Sequence, residues 1–415
     1  MSARTRRYAL LWHRYAGLFM AAFLALAGLT GSLLAFRPQI DRLLSPQLYA
    51  TPQPGVKPLD VQTLIDRVQG LVPHARVAGV SLTKDQAQIQ FVPEKDSATG
   101  KPYDLGFTRF VVDPWTGKEL GRWQGGDRLS NGRQNFTLWL LHLHDRFLTG
   151  PGYLFMGVVA LVWTVDCFIA FYLTVPPMLR GFWRQWKPAW QVKTNLGAYR
   201  LNLDLHRAFG LWLWPMLFVF AWSSVMFNMR IFVYEPVMQA VFDYQSPMKT
   251  MMGLAERAKA NRNAEVPLHV DWRHAEDMGR AVLDARGRDA GFTLGEPMGL
   301  MYAPPLGVYM FAVQTNHGPA MTMFEESGTP VRIEVPVGNR TGNAIETWLA
   351  NLHTAEPLGI WYQTFVAFLG LVIAMFSVTG VYLWWKKRGV RRARRASAAA
   401  RDADSAAVPA AAISA

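Results

Sequence analysis

Four long apolar runs constrain this chain more than any other feature. Residues 16–36, 153–179, 208–229 and 358–385 carry one charged residue among them, Asp166. About 20 apolar residues suffice to cross the hydrocarbon core of a bilayer. Arg4, Arg6 and Arg7 ahead of the first run mimic a secretory signal, but that run is long for one and no small-residue cleavage site precedes Arg37. It reads as a retained first helix. The composition agrees, with 51% hydrophobic and 18% charged residues, against about 25% charged in an average soluble domain. The 16 tryptophans suit a lipid–water boundary.

Direction follows from Lys and Arg. One cluster precedes the first run, a second (Arg180, Arg184, Lys187, Lys193, Arg200) fills the loop between runs two and three, and a third (Lys386, Lys387, Arg388, Arg391, Arg392, Arg394, Arg395) follows run four. All three fall on one side, which the positive-inside rule makes cytoplasmic. The net charge of +13 is thereby assigned to topology and anionic lipid, and nucleic acid is set aside. The expected location is a bacterial inner membrane with both termini cytoplasmic. The expected map places membrane helices at 8–36, 141–179, 205–229 and 351–387, with a cytoplasmic loop at 180–204. Periplasmic α+β domains occupy 37–140 and 230–350, and an alanine-rich, disordered tail occupies 388–415.

The chain reads as two copies of one plan, helix, periplasmic domain, helix. Trp12-His13-Arg14-Tyr15-Ala16-Gly17-Leu18 opens run one and Leu205-His206-Arg207-Ala208-Phe209-Gly210-Leu211 opens run three. Leu143-His144 precedes run two and Leu352-His353 precedes run four, each with a glycine six residues after the histidine. The first periplasmic segment predicts a helix at 59–71 and strands at 76–82, 88–92 and 107–112, the last entering the turn Asp113-Pro114-Trp115-Thr116-Gly117. The second predicts a helix at 275–285, strands at 307–313 and 321–324, and a weaker turn at Glu326-Ser327-Gly328-Thr329.

Cys167 is the only cysteine, which excludes an internal disulfide, covalent haem attachment and thiolate-held iron–sulfur clusters. Any cofactor is left to histidine, methionine or oxygen ligands. His13 and His206 stand at the cytoplasmic ends of helices one and three, and His144 and His353 at the periplasmic ends of helices two and four. Alternate helices of an up-down bundle are diagonal neighbours across the core. Each pair is therefore expected to clamp one planar cofactor, giving two b-type haems stacked across the membrane. Gly17 and Gly210, one turn from their histidines, leave room for a porphyrin, and Arg14 and Arg207 are placed to meet its propionates. The competing reading of each histidine is an amphipathic side chain at head-group level. His142 competes with His144, since residues two apart face opposite sides of a helix.

Asp166, mid-membrane, is expected to face the bundle interior, as a proton relay, as a charge that tunes a haem, or as a structural hydrogen bond between helices. Asp271 is expected to cap a helix starting near Trp272, in preference to binding metal with His269 and His274. Met248, Met251 and Met252 read as adaptable packing. The aromatic and basic loop 181–187 reads as lying in an anionic leaflet surface or docking a reductase. No Gly-rich nucleotide loop of Rossmann or Walker type is present, so an NAD(P)H-derived electron would arrive through another protein or a free flavin.

These motifs, together with Phe110-Val111-Val112-Asp113-Pro114-Trp115-Thr116-Gly117, Trp163-Thr164-Val165-Asp166-Cys167 and Tyr172-Leu173-Thr174-Val175-Pro176, resemble the PepSY-associated transmembrane family over nearly the whole chain. The resemblance implies a four-transmembrane-helix bundle with two PepSY-like periplasmic domains inserted between helices one and two and between three and four. Members include dihaem ferric-siderophore reductases. By that resemblance His13, His144, His206 and His353 are haem ligands and the activity is oxidoreductase, passing electrons from a cytoplasmic donor to a periplasmic ferric siderophore or other Fe(III) chelate. The second segment departs from the family turn, lacking its Asp-Pro pair. The rival functions are a non-redox periplasmic binding or regulatory membrane protein, and an iron or siderophore transporter.

Overall fold

A computed structural model describes residues 3–407 except 127, 179, 268, 339, 356 and 357, without the side chains of 391, 394, 395 and 401–407. In chain order the elements are α1 (Ala3–Leu34), α2 (Arg37–Leu44), α3 (Val61–Gln69), β1 (Ala75–Leu82), β2 (Ala87–Pro93), β3 (Arg109–Val112) and β4 (Glu119–Trp123). Next come α4 (Phe136–Arg146), α5 (Gly152–Thr174), α6 (Phe182–Trp186), α7 (Ala198–Trp212), α8 (Trp214–Asn228), α9 (Glu235–Val241) and α10 (Pro247–Ala260). The second half continues with α11 (Trp272–Ala290), β5 (Leu294–Ala303), β6 (Val308–Thr315), β7 (Gly318–Glu325), β8 (Pro330–Glu334), α12 (Thr341–Thr354) and α13 (Gly359–Ala407). These fall into a helical unit (1–35, 143–229, 351–415) and a sheet unit (36–142, 230–350).

In the helical unit, α1, α5 and α13 are each long and apolar enough to cross a membrane, and α7 with α8 make a fourth if counted as one bent span. Their outward faces show Phe19, Leu29, Val165, Phe168, Leu371 and Val378, as expected of helices apolar all round. Helices α1 and α13 cross back to back at Gly28 and Gly370, where a Cβ on either would lie 2.4 Å from the other's carbonyl oxygen. Only glycine permits that approach, and Ser32 donates to Ala367 O across it (2.8 Å). At the end where α1 begins, Arg6 donates to the last carbonyls of α5, on Leu173 (2.7 Å) and Val175 (3.0 Å). That satisfies a helix terminus that lacks its own donors.

The expected third span is broken. α7 and α8 meet at Leu213 with a 73° bend, because Pro215 has no N–H to continue the α7 ladder and its ring crowds the preceding turn. The helices of the expected second and fourth spans start later than drawn from sequence, at Gly152 and Gly359. His144 lies on α4, which ends at Phe147 and Leu148, both with positive φ (53° and 60°), before α5 begins. His353 lies on α12, which ends at Ala355 (φ 63°) before α13. Beyond 388, where composition predicts a disordered tail, α13 stays helical to Ala407, since alanine and arginine are strong helix formers. Residues 408–415 of that expected tail, and residue 179, lie outside the described residues.

The sheet unit is the larger correction. Two separate α+β domains were expected, but the two segments build one antiparallel sheet of eight strands, in the order β4-β3-β2-β1-β5-β6-β7-β8. Each segment supplies a four-stranded meander, and β1 joins β5 at the centre through Gly79–Met301, Val80–Leu300 and Ser81–Gly299. A Cβ on Gly299 would lie 2.8 Å from Val80 O, and one on Gly79 would lie 2.7 Å from Leu300 O. Backbones meet closely there because side chains are missing. α3 and α11 cover one continuous core that includes Leu64, Val68, Phe110, Leu283, Leu300, Phe311 and Phe324.

The helix starts follow the expected chemistry. Asp60 accepts from Thr63 N (3.0 Å), and Asp271 accepts from His274 N (2.9 Å), so Asp271 is the cap expected from sequence. Gln62 of α3 also accepts from Trp272 N (2.8 Å), locking the first α/β repeat to the second. The turns correspond as well. Asp113 accepts from Trp115 N and Thr116 N between β3 and β4, while Glu325 N bonds Thr329 O between β7 and β8.

Candidate haem-binding histidine pairs

In the helical unit α1 packs against α5 and α13, and α7–α8 against the same two helices. The helices that carry His13 and His206 are therefore diagonal. The rings of these two histidines lie 6.1 Å apart between centroids at 65°. Those of His144 and His353 lie 6.3 Å apart at 75°. The two pairs sit at opposite ends of α1, which carries His13 near one and Thr30 near the other. The stretch of helix between those two positions rises roughly 25 Å.

Each ring is fixed by an oxygen on a neighbouring helix. His13 Nδ1 lies 2.9 and 3.1 Å from the two oxygens of Asp166, His206 Nδ1 3.0 Å from Thr379 Oγ1, His144 Nδ1 2.9 Å from Thr30 Oγ1, and His353 Nδ1 2.7 Å from Ser223 Oγ. All four oxygen-bearing residues are buried, at 0–5% exposure.

The tautomers follow from where the hydroxyl protons go. Thr30 donates to Leu26 O (2.7 Å), Thr379 to Met375 O (2.8 Å) and Ser223 to Phe220 O (3.1 Å). With its one proton on that carbonyl, each hydroxyl is an acceptor toward the imidazole, as a carboxylate also is. All four contacts are made at Nδ1 and are compatible with the Nδ1–H tautomer, in which Nε2 keeps its lone pair as the available metal ligand.

The spacing can be tested against a shared metal. Two imidazoles on opposite sides of one ion, with bonds of about 2.0 Å and roughly 1.15 Å from nitrogen to ring centre, place their centroids about 6.3 Å apart. The two pairs match this, at 6.1 and 6.3 Å. Beside His13 and His206 is a cavity of about 280 Å³, lined among others by Gly17, Met20, Leu24, Trp163, Arg207 and Gly210. A Cβ on Gly17 or Gly210 would meet nothing within 4 Å. The donor set and the apolar walls fit a haem.

The surroundings complete the picture. Phe376 contacts His206 (5.3 Å) and Phe220 contacts His353 (4.9 Å). Trp163, Leu24, Leu369 and Ile373 lie in the same apolar core. Tyr362 of α13 donates to Leu352 O (3.0 Å), holding the end of α12 that carries His353.

Asp166 faces the interior as expected, in contact with His13. His144, and not His142, is the ring that meets His353. Arg207 lines the cavity, its Nη2 held by Asp204 (2.9 Å) and Pro188 O (2.6 Å) and its Nε buried without a hydrogen-bond partner. Arg14 is not among the residues that line the cavity. Sequence reasoning missed Thr30, Ser223 and Thr379. A signal existed, because Thr30 follows His13 at the same spacing as Ser223 follows His206. In the loop, Trp186 packs with Phe171, Phe182 and Trp190 while Trp183 stays exposed.

A family model for the PepSY-associated TM region matches residues 10–387. No curated protein matches the chain significantly.

Proposed function

This chain belongs to the PepSY-associated transmembrane family, and we propose that it is a four-span, two-haem electron conduit of a bacterial inner membrane. In this reading both termini are cytoplasmic. Electrons enter from a cytoplasmic reductase or reduced flavin at the His13/His206 end and leave at the His144/His353 end to a ferric siderophore or other Fe(III) chelate in the periplasm. The activity is that of a ferric-siderophore reductase.

One observation carries the reading: four histidines from four different helices pair at two levels, each held at Nδ1 by a buried oxygen. A histidine that merely sits at head-group level needs no such partner. When bound between each pair, a b-type haem supplies a one-electron couple. His13, His206, His144 and His353 hold the metal, and the hydroxyls and Asp166 orient the rings. Arg207 offers its buried Nε to a propionate, a role that Arg14, off the cavity, does not share. The apolar core around Trp163 and Leu369 excludes water between the two levels. At the exit, gain of one electron converts Fe(III) to Fe(II), a softer ion that a hard oxygen chelate holds less tightly.

The test uses the full chain in mild detergent, with absorption spectra before and after dithionite and haem counted per chain. Two b-type haems per chain, reoxidised by added ferric siderophore, are expected. A protein still colourless after expression with excess haem precursor overturns the reading and favours a periplasmic binding module.

A further inference from the structure

The two halves present their histidines in the same way, with one exception. Within each half, the first-helix histidine leans on the last helix (His13 on Asp166 of α5, His206 on Thr379 of α13). The later histidine leans on the earlier helix (His144 on Thr30 of α1, His353 on Ser223 of α8). Three of these four acceptors are hydroxyls. The fourth is a carboxylate, 5% exposed, with both oxygens within 3.1 Å of His13 Nδ1.

A hydroxyl and a carboxylate orient an imidazole equally well, but they differ in charge. A carboxylate pulls the Nδ1 proton toward itself, makes the ring a stronger donor through Nε2, and adds a negative charge near the metal. The oxidised site carries one more positive charge than the reduced site, and in an apolar interior that charge is felt strongly. Both effects favour the oxidised form at the His13/His206 pair. The His144/His353 pair has no such partner on either Nδ1.

We propose that Asp166 is a positioning residue that makes the His13/His206 site the more reducing of the two haem sites, so that an electron lost there is gained downhill at the His144/His353 site. The inference rests on the two-haem reading. Each transfer is one electron, with no proton or bond exchanged between the sites. The donor at one end and the Fe(III) chelate at the other close the balance. The donor and the Fe(III) chelate set the overall direction, and the single carboxylate makes the internal step between the two sites run downhill along it.

The experiment is a spectroelectrochemical titration of the full haem-loaded protein in detergent. The wild type is expected to titrate in two separated one-electron steps. Asp166→Asn is expected to raise the lower step by a tenfold change in its equilibrium constant, or about 59 mV for one electron, and to leave the upper step in place. Thr379→Asp, which adds a carboxylate to the other histidine of the same pair, is expected to lower the lower step further. Two equal steps in the wild type, or an Asp166→Asn protein with both haems and unmoved potentials, overturn the proposal. If Asp166→Asn loses a haem, Thr379→Asp decides, and an unmoved lower step overturns. A wild type that takes up no haem sinks the two-haem reading itself, which is a separate result.

Discussion

In the helical unit the first and second halves of the chain keep the same kinds of residue at one spacing, His13 to Thr30 matching His206 to Ser223. In the sheet unit the halves share topology and an aspartate cap on the covering helix, Asp60 and Asp271, but less of their sequence. Each contributes a helix and a four-stranded meander, yet Asp113-Pro114 has no counterpart at Glu326-Ser327, and α10 stands only in the second half. The difference follows from what each unit must hold. In the proposed conduit a metal bond would tolerate only tenths of an ångström, which would pin the histidines and their oxygen partners. A sheet edge and a hairpin can be closed by several turn chemistries.

That comparison can be broken. The largest effect is expected from removing a ligand: His13→Ala and His206→Ala should each lose one of two haem equivalents and leave the other. Pyridine haemochrome counting reads this, and unchanged haem content in both would sink the pairing. Next, Gly299→Val places a side chain against Val80 O, where backbone cannot yield, and should cost about 3 kcal/mol, the upper range for overpacking. Denaturant unfolding followed by tryptophan fluorescence should show a lowered midpoint, and an unmoved midpoint would argue against a closed β1–β5 seam.

Thr30→Ala and Ser223→Ala sharpen the comparison. Each removes one acceptor and should weaken haem affinity about 10- to 100-fold, by similar factors if the halves are equivalent. Haem transfer to apomyoglobin measures both, and a large inequality would show that the repeat is not functional. The smallest effect belongs to the caps. Asp60→Ala should cost about 1 kcal/mol. The hydrogen bond from Thr63 holds the Asp60 carboxyl below its ordinary value, so its contribution is present above the unfolded carboxylate pKa and fades as pH falls through the folded one. Asp271→Ala should cost less, because Gln62 already accepts from Trp272 N. Thermal melts between pH 3 and 7 (about the range in which a carboxyl titrates) compare the two, and equal costs would remove Gln62 from the account.

Much of this was legible in the residues, for physical reasons. Apolar length gave the spans, and the two His-Arg starts gave the repeat. Strands β1, β2, β3, β6 and β7 lie close to their expected ranges, because each carries apolar residues of the kind a half-buried pleated surface selects. β5 was missed, since Leu294–Ala303 contains Gly295, Pro297 and Gly299 and reads as a breaker rather than a strand. Its pairing with β1 depends on a partner in the other half of the chain, which no local pattern reports. The bend between α7 and α8 was in the sequence as Pro215, yet apolar content outweighed it. The paired histidines were legible as residue types at helix ends, but their oxygen partners were hidden among ordinary apolar neighbours.

The central seam also sets a timetable for synthesis. β1 is made early, but its partner β5 is complete only when residue 303 has left the ribosome. Until then β1 presents an open edge beside Val77 and Val80, residues that end almost fully buried. Such an edge is prone to wrong partners, and late pairing between distant segments is slow. The nascent first half therefore keeps that edge open until its own second half arrives to close the sheet.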